Sequence, residues 1–330
     1  MQKEYPIAEQ DILLQKTSIS FDVSIWELFW WSVTGASLCL LPQGEEIFPA
    51  AIYHTITKYN VTVMHFVPTM MDCFLTHIKD NELAENIISL NQVFCSGEQL
   101  TVHSVNKFNA MFNQREKRIC LANLYGPTEA TIDVSFYDCP QTCNNQVIPI
   151  GKAIDNIQLF VIDCDTGELV KDGREGELCI AGIGLARGYV NKSLDQEHFV
   201  ENSSVFPERF YRTGDLARIL PDGNIDYLGR IDSQIKLNGL RIELSEIEAV
   251  ICRDEFIEQC IVLLKKEQDR TSKLVAFIIA KQEIETKKLK KSIKEFLPSY
   301  MLPNKFIFLT EYPLNSSGKV DRKRLLEMVK

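Results

Sequence analysis

The sequence predicts an α/β protein that continues into an all-β stretch and ends in a smaller α+β domain. Three observations support this. Residues 11–135 alternate between helical patterns and short apolar strands, residues 147–230 contain short strands separated by Gly- and Asp-rich turns, and the pattern changes again after residue 234. The 330 residues are enough for two domains, and an apolar content of 45% supplies their cores.

The first region shows the alternation most clearly. The runs VTVMHFV (61–67) and NQVFCS (91–96) are rich in branched and aromatic residues, as buried strands are. Helical segments such as FPAAIYHTITKYN (48–60) lie between such strands. This order predicts helices layered on a sheet.

The second and third regions differ from the first and from each other. IQLFVID (157–163), EGELCIAG (175–182) and NIDYLGR (224–230) are short strands that predict either a small barrel or a meander. In the third region we predict a capped helix at 244–255, strands at 260–266 and 273–281, and a helix at 287–301. These elements make an α+β domain of ordinary size, and we place its boundary near Asp232.

Composition excludes several classes of protein. A net charge of −9 and a pI near 5.2 argue against a nucleic-acid-binding surface, which needs a basic face. No segment is apolar for long enough to span a membrane, and the first residues lack the apolar core of a secretion signal. The ten cysteines are dispersed, without the paired spacing of a zinc site, which predicts a reducing compartment, the cytoplasm.

The stretch FDVSIWELFW (21–30) places an acid in an aromatic and aliphatic run. Ser24 and Glu27 have the spacing of a capping box, in which case Asp22 is only a polar residue before a helix. Alternatively, Asp22 is a buried anion that awaits a cation, because an unpaired buried carboxylate is costly. Taken alone, the stretch favours the capping interpretation.

Three further segments carry residues suited to nucleotide chemistry. In NLYGPTEAT (123–131), Gly126 and the following proline predict a turn that exposes Thr128 and Glu129 to phosphates and Mg²⁺; an ordinary turn is an equal alternative.

In YRTGDLARILPDGNIDYLGR (211–230), Asp215 is placed to accept hydrogen bonds from a ribose diol and Arg230 to pair with phosphate, although a plain hairpin explains the segment too. Lys319, in NSSGKVDRK (315–323), is either a loop lysine that neutralises developing charge or an ordinary surface lysine. GIGLARGY (182–189) departs from the dinucleotide-loop spacing, so its glycines are predicted to be structural.

Taken in order, these motifs, with GRIDSQIKLNGLRIELSEIE (229–248), closely resemble the adenylation domains of non-ribosomal peptide synthetases, of the acyl-adenylate-forming (AMP-binding) superfamily. The resemblance covers about residues 5–325. It implies the acyl-adenylate-forming enzyme fold, with a partial large N-terminal domain of α/β layers plus a small β-barrel-like part. Residues 1–231 would be the C-terminal portion of that large core domain, and 232–330 a small mobile α+β lid that turns about a hinge at Asp232.

The resemblance also implies a reaction. Family members use ATP and Mg²⁺ to convert a carboxylate into an acyl adenylate, then transfer the acyl group to the phosphopantetheine thiol of a carrier protein. It gives catalytic roles to Lys319, Glu129 and Thr128, with Glu129 the Mg²⁺ ligand. The positions that match ATP- or AMP-binding residues are Asn123, Tyr125, Gly126, Thr128, Asp215, Tyr227 and Arg230. One fixed cation, Lys319, would reduce the repulsion between the two reacting anions.

The resemblance further implies an amino-acid pocket, in which Asp22 holds the substrate ammonium. The matching positions are Asp22, Val23, Trp26, His65, Phe94, Ser96, Leu124, Ile132, Asp133 and Lys319. Apart from the two charged ends, the polar members are His65, Ser96 and Asp133, and each would cost about 1–3 kcal/mol if left without a partner. With Trp26 and Phe94 filling volume, the expected substrate is serine, then threonine, and the set resembles serine-activating members.

The chain also departs from the family. Nothing between Met1 and Phe21 resembles the phosphate loop that family members carry within the roughly two hundred residues before the Asp22 motif, a domain-sized piece. Asn238 and Ser245 replace a usual basic residue and a usual glycine.

Three hypotheses therefore remain: a catalytic domain completed by a separate N-terminal portion, a non-catalytic remnant, or an acyl-CoA ligase, against which Asp22 and the polar pocket argue. Expected partners are the amino acid, a peptidyl carrier protein and an MbtH-like helper protein.

Overall fold

The computed structural model describes residues 1–112, 118–143, 147–170, 173–201, 203–232, 234–237, 239–266, 272–282, 284–314 and 320–329. The chain divides into two compact units, Met1–Ile231 and Asp232–Lys330. Within the described residues, no helix is both long and apolar enough to cross a bilayer.

The first unit begins with a mixed sheet and its helices. The strands are β1 (Ile12–Gln15), β2 (Ser37–Leu40), β3 (Val63–Phe66), β4 (Gln92–Cys95), β5 (Cys120–Tyr125), β6 (Ser135–Asp138) and β7 (Lys152–Ala153). The helices are α1 (Ser24–Thr34), α2 (Pro49–Tyr59), α3 (Pro68–Asp80) and α4 (Val102–Phe112). The strand order is β2-β1-β3-β4-β5-β6-β7, parallel from β2 to β5 and antiparallel from there to β7. The alternation predicted for this region is thereby confirmed.

Strand alternation divides the core of this sheet into two layers. Neighbouring strand residues such as Leu13 and Leu14 point to opposite faces, so each belongs to a different apolar cluster. One cluster joins the sheet to α2, α3 and α4, and the other joins it to α1 through Trp26 and Trp30. The second cluster contains Trp26, Phe94 and Leu124, three of the residues predicted to line an amino-acid pocket.

A second sheet completes the first unit. Its strands are β8 (Ile157–Ile162), β9 (Gly176–Gly182), β10 (Phe199–Val200), β11 (Phe210–Ile219) and β12 (Ile225–Arg230), with the short helix α5 (Asp195–His198) before β10. The order is β10-β11-β9-β8, all antiparallel, with β12 beside β11. The sequence left a small barrel and a meander as alternatives. The described strands do not close into a barrel, because β8 pairs only with β9 and leaves an open edge.

The second unit is α+β, as predicted. It contains β13 (Gln234–Leu237), β14 (Leu240–Glu243), α6 (Leu244–Ile251), β15 (Ile257–Lys266), β16 (Ser272–Ala280), α7 (Thr286–Ile293), β17 (Lys305–Leu309) and α8 (Arg322–Glu327). The helix predicted at 287–301 was too long: α7 ends at Ile293, and only a single 3₁₀ turn forms at Ser299–Met301. Pro298 disfavours helical backbone at the residue before it, so the helix does not continue to Met301.

Candidate active site

The residues predicted to bind an amino acid lie where parallel strands end. His65 is in β3, Ser96 directly follows β4, and Leu124 is near the end of β5. The carboxyl ends of adjacent parallel strands meet at one edge of the sheet, where α/β proteins bind ligands. A separate cavity of about 960 Å³ borders residues that begin these strands, including Thr62, Gln92 and Cys120, so it is not this site.

An apolar cluster brings five of the predicted pocket residues together. Trp26, Phe94 and Leu124 are buried in it, and Val23 and Ile132 pack against them. The Trp26 ring meets Phe94 edge-on at 5.5 Å between centroids and the His65 ring at 6.0 Å. The structure therefore places His65 against the same apolar wall.

The polar pair of the pocket is buried and only partly satisfied. His65 Nε2 and Ser96 Oγ are 2.9 Å apart, which makes one hydrogen bond. His65 Nδ1 and Trp26 Nε1 are both buried, and neither has a partner among the described residues. Burial lowers the pKa of His65 well below 6.5, and the positive charge of Lys16 adds to the effect, so the imidazole is neutral at physiological pH.

The predicted capping box does not form. Ser24 is the first residue of α1, and its hydroxyl donates to the Phe21 carbonyl at 2.7 Å. Glu27 is fully buried and accepts from the backbone N–H groups of Lys16 and Thr17 and from the Thr17 hydroxyl, at 3.2, 2.9 and 2.7 Å. The box prediction was wrong because Glu27 holds the loop after β1 instead of the helix terminus.

Asp22 and Asp133 are both half-buried beside this cluster. The carboxylate of Asp22 has no hydrogen-bond or ion-pair partner in the described part of the chain, and its neighbour Val23 packs against the cluster. Because the capping box does not form, no described contact gives the Asp22 side chain a structural role.

The turn after β5 is held by close backbone packing. A Cβ added to Gly126 would lie 2.0 Å from the carbonyl oxygen of Ile132, so only glycine fits there. Thr131 and Ile132 have φ of 61° and 79°, in the left-handed region that β-branched residues rarely adopt. Such strain persists only where surrounding structure enforces it, as it does next to functional sites.

The two residues predicted to meet phosphate and Mg²⁺ lie on this turn. Thr128 is exposed, and Glu129 is buried and accepts a hydrogen bond of 2.7 Å from the Tyr189 hydroxyl. Burial raises the pKa of Tyr189, and hydrogen bonds to Tyr211 and Glu129 add to the rise, so Tyr189 remains a donor. The described residues contain no group of three or more metal-ligating side chains, whereas one carboxylate plus phosphate oxygens suffices for Mg²⁺, so Glu129 fits that role.

The predicted nucleotide residues form a closed network. Asp215 is buried; one carboxylate oxygen accepts from the Tyr125 hydroxyl and the other from Arg230 Nη1 at 2.8 Å. Arg230 also donates to the Thr213 carbonyl at 2.7 Å, and the rings of Tyr125 and Tyr227 lie 6.4 Å apart. A carboxylate offers about four acceptor positions, so Asp215 retains capacity for a diol.

Asn123, predicted to contact the base, is buried and donates to the Pro149 carbonyl at 2.8 Å. Lys319 and Asn238 lie outside the described residues. Asp232 begins the second unit, and its carboxylate accepts from the backbone N–H of Gln234 at 2.9 Å.

Sequence reasoning missed Tyr189, although the residue ends the motif whose glycines were predicted to be structural. That prediction agrees with the packing, because a Cβ on Gly182 would lie 2.2 Å from the Asn156 carbonyl oxygen and one on Gly188 2.4 Å from Asp195. The sequence shows an aromatic residue, Tyr189, next to Gly188. It does not show that Tyr189 donates a hydrogen bond to Glu129, which lies in another motif.

α/β proteins bind ligands at the carboxyl ends of their parallel strands, which is where the predicted site residues of the first sheet lie. The model of the AMP-binding enzyme family matches residues 1–190, and that of the AMP-binding enzyme C-terminal domain matches 246–319. The chain belongs to the AMP-binding enzyme family.

Within this family, the chain is similar to two bacterial synthases. The chain is 50% identical to zwittermicin A synthase ZmaJ of Bacillus cereus over 98% of its own length and 62% of that protein. It is 41% identical to tyrocidine synthase 3 of Brevibacillus parabrevis, over 98% of the chain and 5% of that protein. The chain thus spans about three fifths of ZmaJ and far less of the other synthase.

Solved structures agree with the sequence relatives. The adenylation domain AlmE of Vibrio cholerae, in complex with glycyl-adenosine-5′-phosphate, superimposes with a TM-score of 0.85 at 26% identity, over 99% of this chain and 60% of that one. PA1221, a non-ribosomal peptide synthetase protein with adenylation and PCP domains, gives 0.82 at 27% identity, over 97% and 54%. The resemblance to these adenylation domains and the fold class are confirmed.

Proposed function

We propose that the protein containing this chain activates serine with ATP as seryl adenylate and transfers the seryl group to the phosphopantetheine thiol of a peptidyl carrier protein. In the first step a carboxylate oxygen bonds to the α-phosphorus while the bond to pyrophosphate breaks. In the second the thiolate sulfur bonds to the acyl carbon and AMP leaves. AlmE, solved with glycyl-adenosine-5′-phosphate, and PA1221, with adenylation and PCP domains, support these two steps by relatedness.

One observation carries the choice of substrate. Among the buried residues of the predicted pocket, His65 and Ser96 are the polar pair, and one nitrogen of that neutral imidazole has no partner among the described residues. An unpartnered buried polar atom costs free energy, and a small hydroxyl-bearing side chain would remove that cost. Valine or leucine would leave it in place.

The other substrate groups follow from the charged residues. From the family resemblance we assign Asp22 to the α-ammonium of the substrate and Lys319 to its carboxylate and the α-phosphate. Asp215, Tyr125, Tyr227, Asn123 and Arg230 would hold the nucleoside, and Glu129 with Thr128 the phosphate region. Glu129 would hold Mg²⁺, which would supply positive charge against the phosphates.

Amino-acid-dependent ATP–pyrophosphate exchange tests this proposal on the chain in its native polypeptide. Across all proteinogenic amino acids we expect serine to give the highest rate, threonine a lower one, and alanine a poor one, because alanine leaves the polar pair unsatisfied. Asp22→Asn should abolish exchange with every amino acid, since no carboxylate then faces the ammonium. A preference for alanine or valine would overturn the pocket assignment.

Domain roles and other partners are also proposals. From the family resemblance we assign residues 1–231 to the adenylation core and 232–330 to a lid that pivots at Asp232 between the two steps. A cytoplasmic location and an MbtH-like helper protein belong to the same proposal.

A separate N-terminal portion of the domain is the remaining proposed partner, and α1 supplies the supporting observation. Ile25, Phe29 and Val33 recur every four residues and are 49%, 63% and 75% exposed, which gives the helix an apolar outer face. ZmaJ has 38% of its length outside the matched region, enough for such a cover.

Co-purification tests this surface, with the unmatched portion of ZmaJ as the probe. We expect Phe29→Asp to abolish a complex that forms with the unchanged chain, and Ile88→Asp, at a site 70% exposed elsewhere, to leave it intact. Binding that survives Phe29→Asp would contradict this assignment.

A further inference from the structure

A bulge interrupts the pairing of β9 and β11 next to the predicted ribose-binding acid. Arg212 pairs with Cys179 and Leu216 with Glu177, so the three residues from Thr213 to Asp215 lie opposite the single residue Leu178. Bulges bend a strand and redirect a side chain, and they occur preferentially beside active sites. Here the bulge determines where the carboxylate of Asp215 points.

The carboxylate of Glu177 holds this bulge from the β9 side. Glu177 is 5% exposed; one oxygen accepts from the Gly214 N–H at 3.0 Å, and the other accepts from Arg212 Nε at 2.9 Å and from Arg212 Nη2. Gly214 itself has φ of 70°, a left-handed conformation that this hydrogen bond helps to fix. A buried acid therefore fixes the residue directly before Asp215.

Backbone and side-chain contacts hold the bulge from the other directions. The Thr213 hydroxyl donates to the Leu178 carbonyl at 2.7 Å and accepts from the Asp215 N–H at 2.9 Å. The Ile231 N–H donates to the Gly214 carbonyl at 2.9 Å. Arg230 Nη1 also donates to the Thr213 carbonyl, at 2.7 Å, and binds Asp215 directly. Glu177 differs from Arg230 because its described hydrogen bonds go to Gly214 and Arg212, not to Asp215.

We propose that Glu177 is a positioning residue for nucleotide binding, which fixes Gly214 so that the Asp215 carboxylate faces the ribose hydroxyls. This inference rests on the proposed function, in which Asp215 binds the ribose. Glutamine at position 177 keeps the size of the side chain but replaces one acceptor oxygen with an NH₂ group. That group meets the N–H of either Gly214 or Arg212, so one donor loses its acceptor.

The test measures dissociation constants for AMP and for 2′,3′-dideoxy-AMP, which lacks both ribose hydroxyls, using the chain in its native polypeptide. We expect the unchanged protein to bind AMP more tightly than the dideoxy analogue. Glu177→Gln should raise the dissociation constant for AMP roughly tenfold and leave that for the analogue unchanged. A purely structural role would weaken both nucleotides alike.

A matched control exists in the same sheet. Asp226, in β12, is buried and accepts from Arg218 Nε and Nη2 at 3.0 and 2.8 Å, as Glu177 does from Arg212, but its described bonds do not reach the bulge. Asp226→Asn should lower the melting temperature to a similar extent and leave both dissociation constants unchanged.

The possible outcomes distinguish a failure of the positioning role of Glu177 from a failure of the proposed ribose-binding role of Asp215. If the unchanged protein binds the two nucleotides equally, the role of Asp215 at the ribose is wrong. If it discriminates and Glu177→Gln discriminates as well, or if Asp226→Asn removes the discrimination too, the positioning role of Glu177 is wrong while nucleotide binding stands.

Discussion

The two halves of the candidate site treat their polar groups in opposite ways. In the nucleotide half, both oxygens of Asp215 are occupied, by Tyr125 and Arg230. In the amino-acid half, buried nitrogens of His65 and Trp26 have no partner in the described chain. One half is a closed hydrogen-bond network, and the other is an apolar wall with unsatisfied polar atoms.

This difference fits the tasks proposed for each half. In the half proposed to bind the nucleotide, a pre-formed network lowers the cost of ordering on binding. For the half proposed to bind the amino acid, selectivity rises when buried polar atoms are satisfied only by the correct ligand. The closed half should therefore lose stability when altered, whereas the open half should tolerate apolar replacement of its whole polar pair, though not of one member alone.

Asp215→Asn should have the largest effect on stability. It removes the charge that compensates the mostly buried guanidinium of Arg230, and breaking a buried ion pair costs about 4 kcal/mol. Urea unfolding followed by tryptophan fluorescence measures it, because all three tryptophans of the chain, Trp26, Trp30 and Trp31, lie in α1 of the first unit. As a control, Asp155→Asn removes an exposed pair with Lys3 and should change the free energy of unfolding too little to measure. Equal effects would mean that the network is not closed.

Gly126→Ala tests the turn that joins the halves, and we expect a loss of about 3 kcal/mol. The new Cβ would lie 2.0 Å from Ile132 O and 2.7 Å from Asp133 Cα, so backbone must move. Gly44→Ala is the control, because it meets no atom within 4 Å and is opposed only by its φ of 86°, worth about 1 kcal/mol. The same urea series compares them, and a smaller loss at Gly126 than at Gly44 would show that the turn relaxes freely.

Ser96→Ala should destabilise the open half by about 2 kcal/mol, because His65 Nε2 then loses its partner. Removing His65 as well should then restore part of the lost stability. Ser96→Ala combined with His65→Leu should be more stable than Ser96→Ala alone, since the buried ring nitrogens are gone. A double variant less stable than the single would show that His65 is already satisfied and that the two halves do not differ.

The smallest expected effect is on the pH dependence of stability. Burial lowers the pKa of His65 in the folded state, so below pH 6.5 the unfolded chain takes up a proton that the folded chain does not. Stability from this group is complete above pH 6.5 and falls by about 1 kcal/mol over the first pH unit below it. The difference in free energy of unfolding between the unchanged protein and His65→Gln, measured across that range, should show this slope. A flat difference would place a proton on His65 in the folded state.

Sequence reasoning succeeded where the signal is local. The apolar run that became β3 and the helical pattern that became α2 were readable from neighbouring residues alone, because side-chain periods of 2 and 3.6 are short-range properties. The same reasoning failed for Ser24 and Glu27, whose spacing satisfied a local rule. Glu27 instead accepts hydrogen bonds from three donors in the loop after β1.

The sequence by itself determined the class of the protein, the order of its layers and which residue types stand at the strand ends. Only the tertiary structure decided which of them pair. Tyr125 meets Asp215 across 90 positions, Glu129 meets Tyr189 across 60, and Glu177 meets Arg212 across 35. A pattern along the chain records the period of one element, whereas these contacts depend on how two sheets pack and where one strand bulges. Hydrogen bonds act over about 3 Å, so only the folded arrangement establishes them.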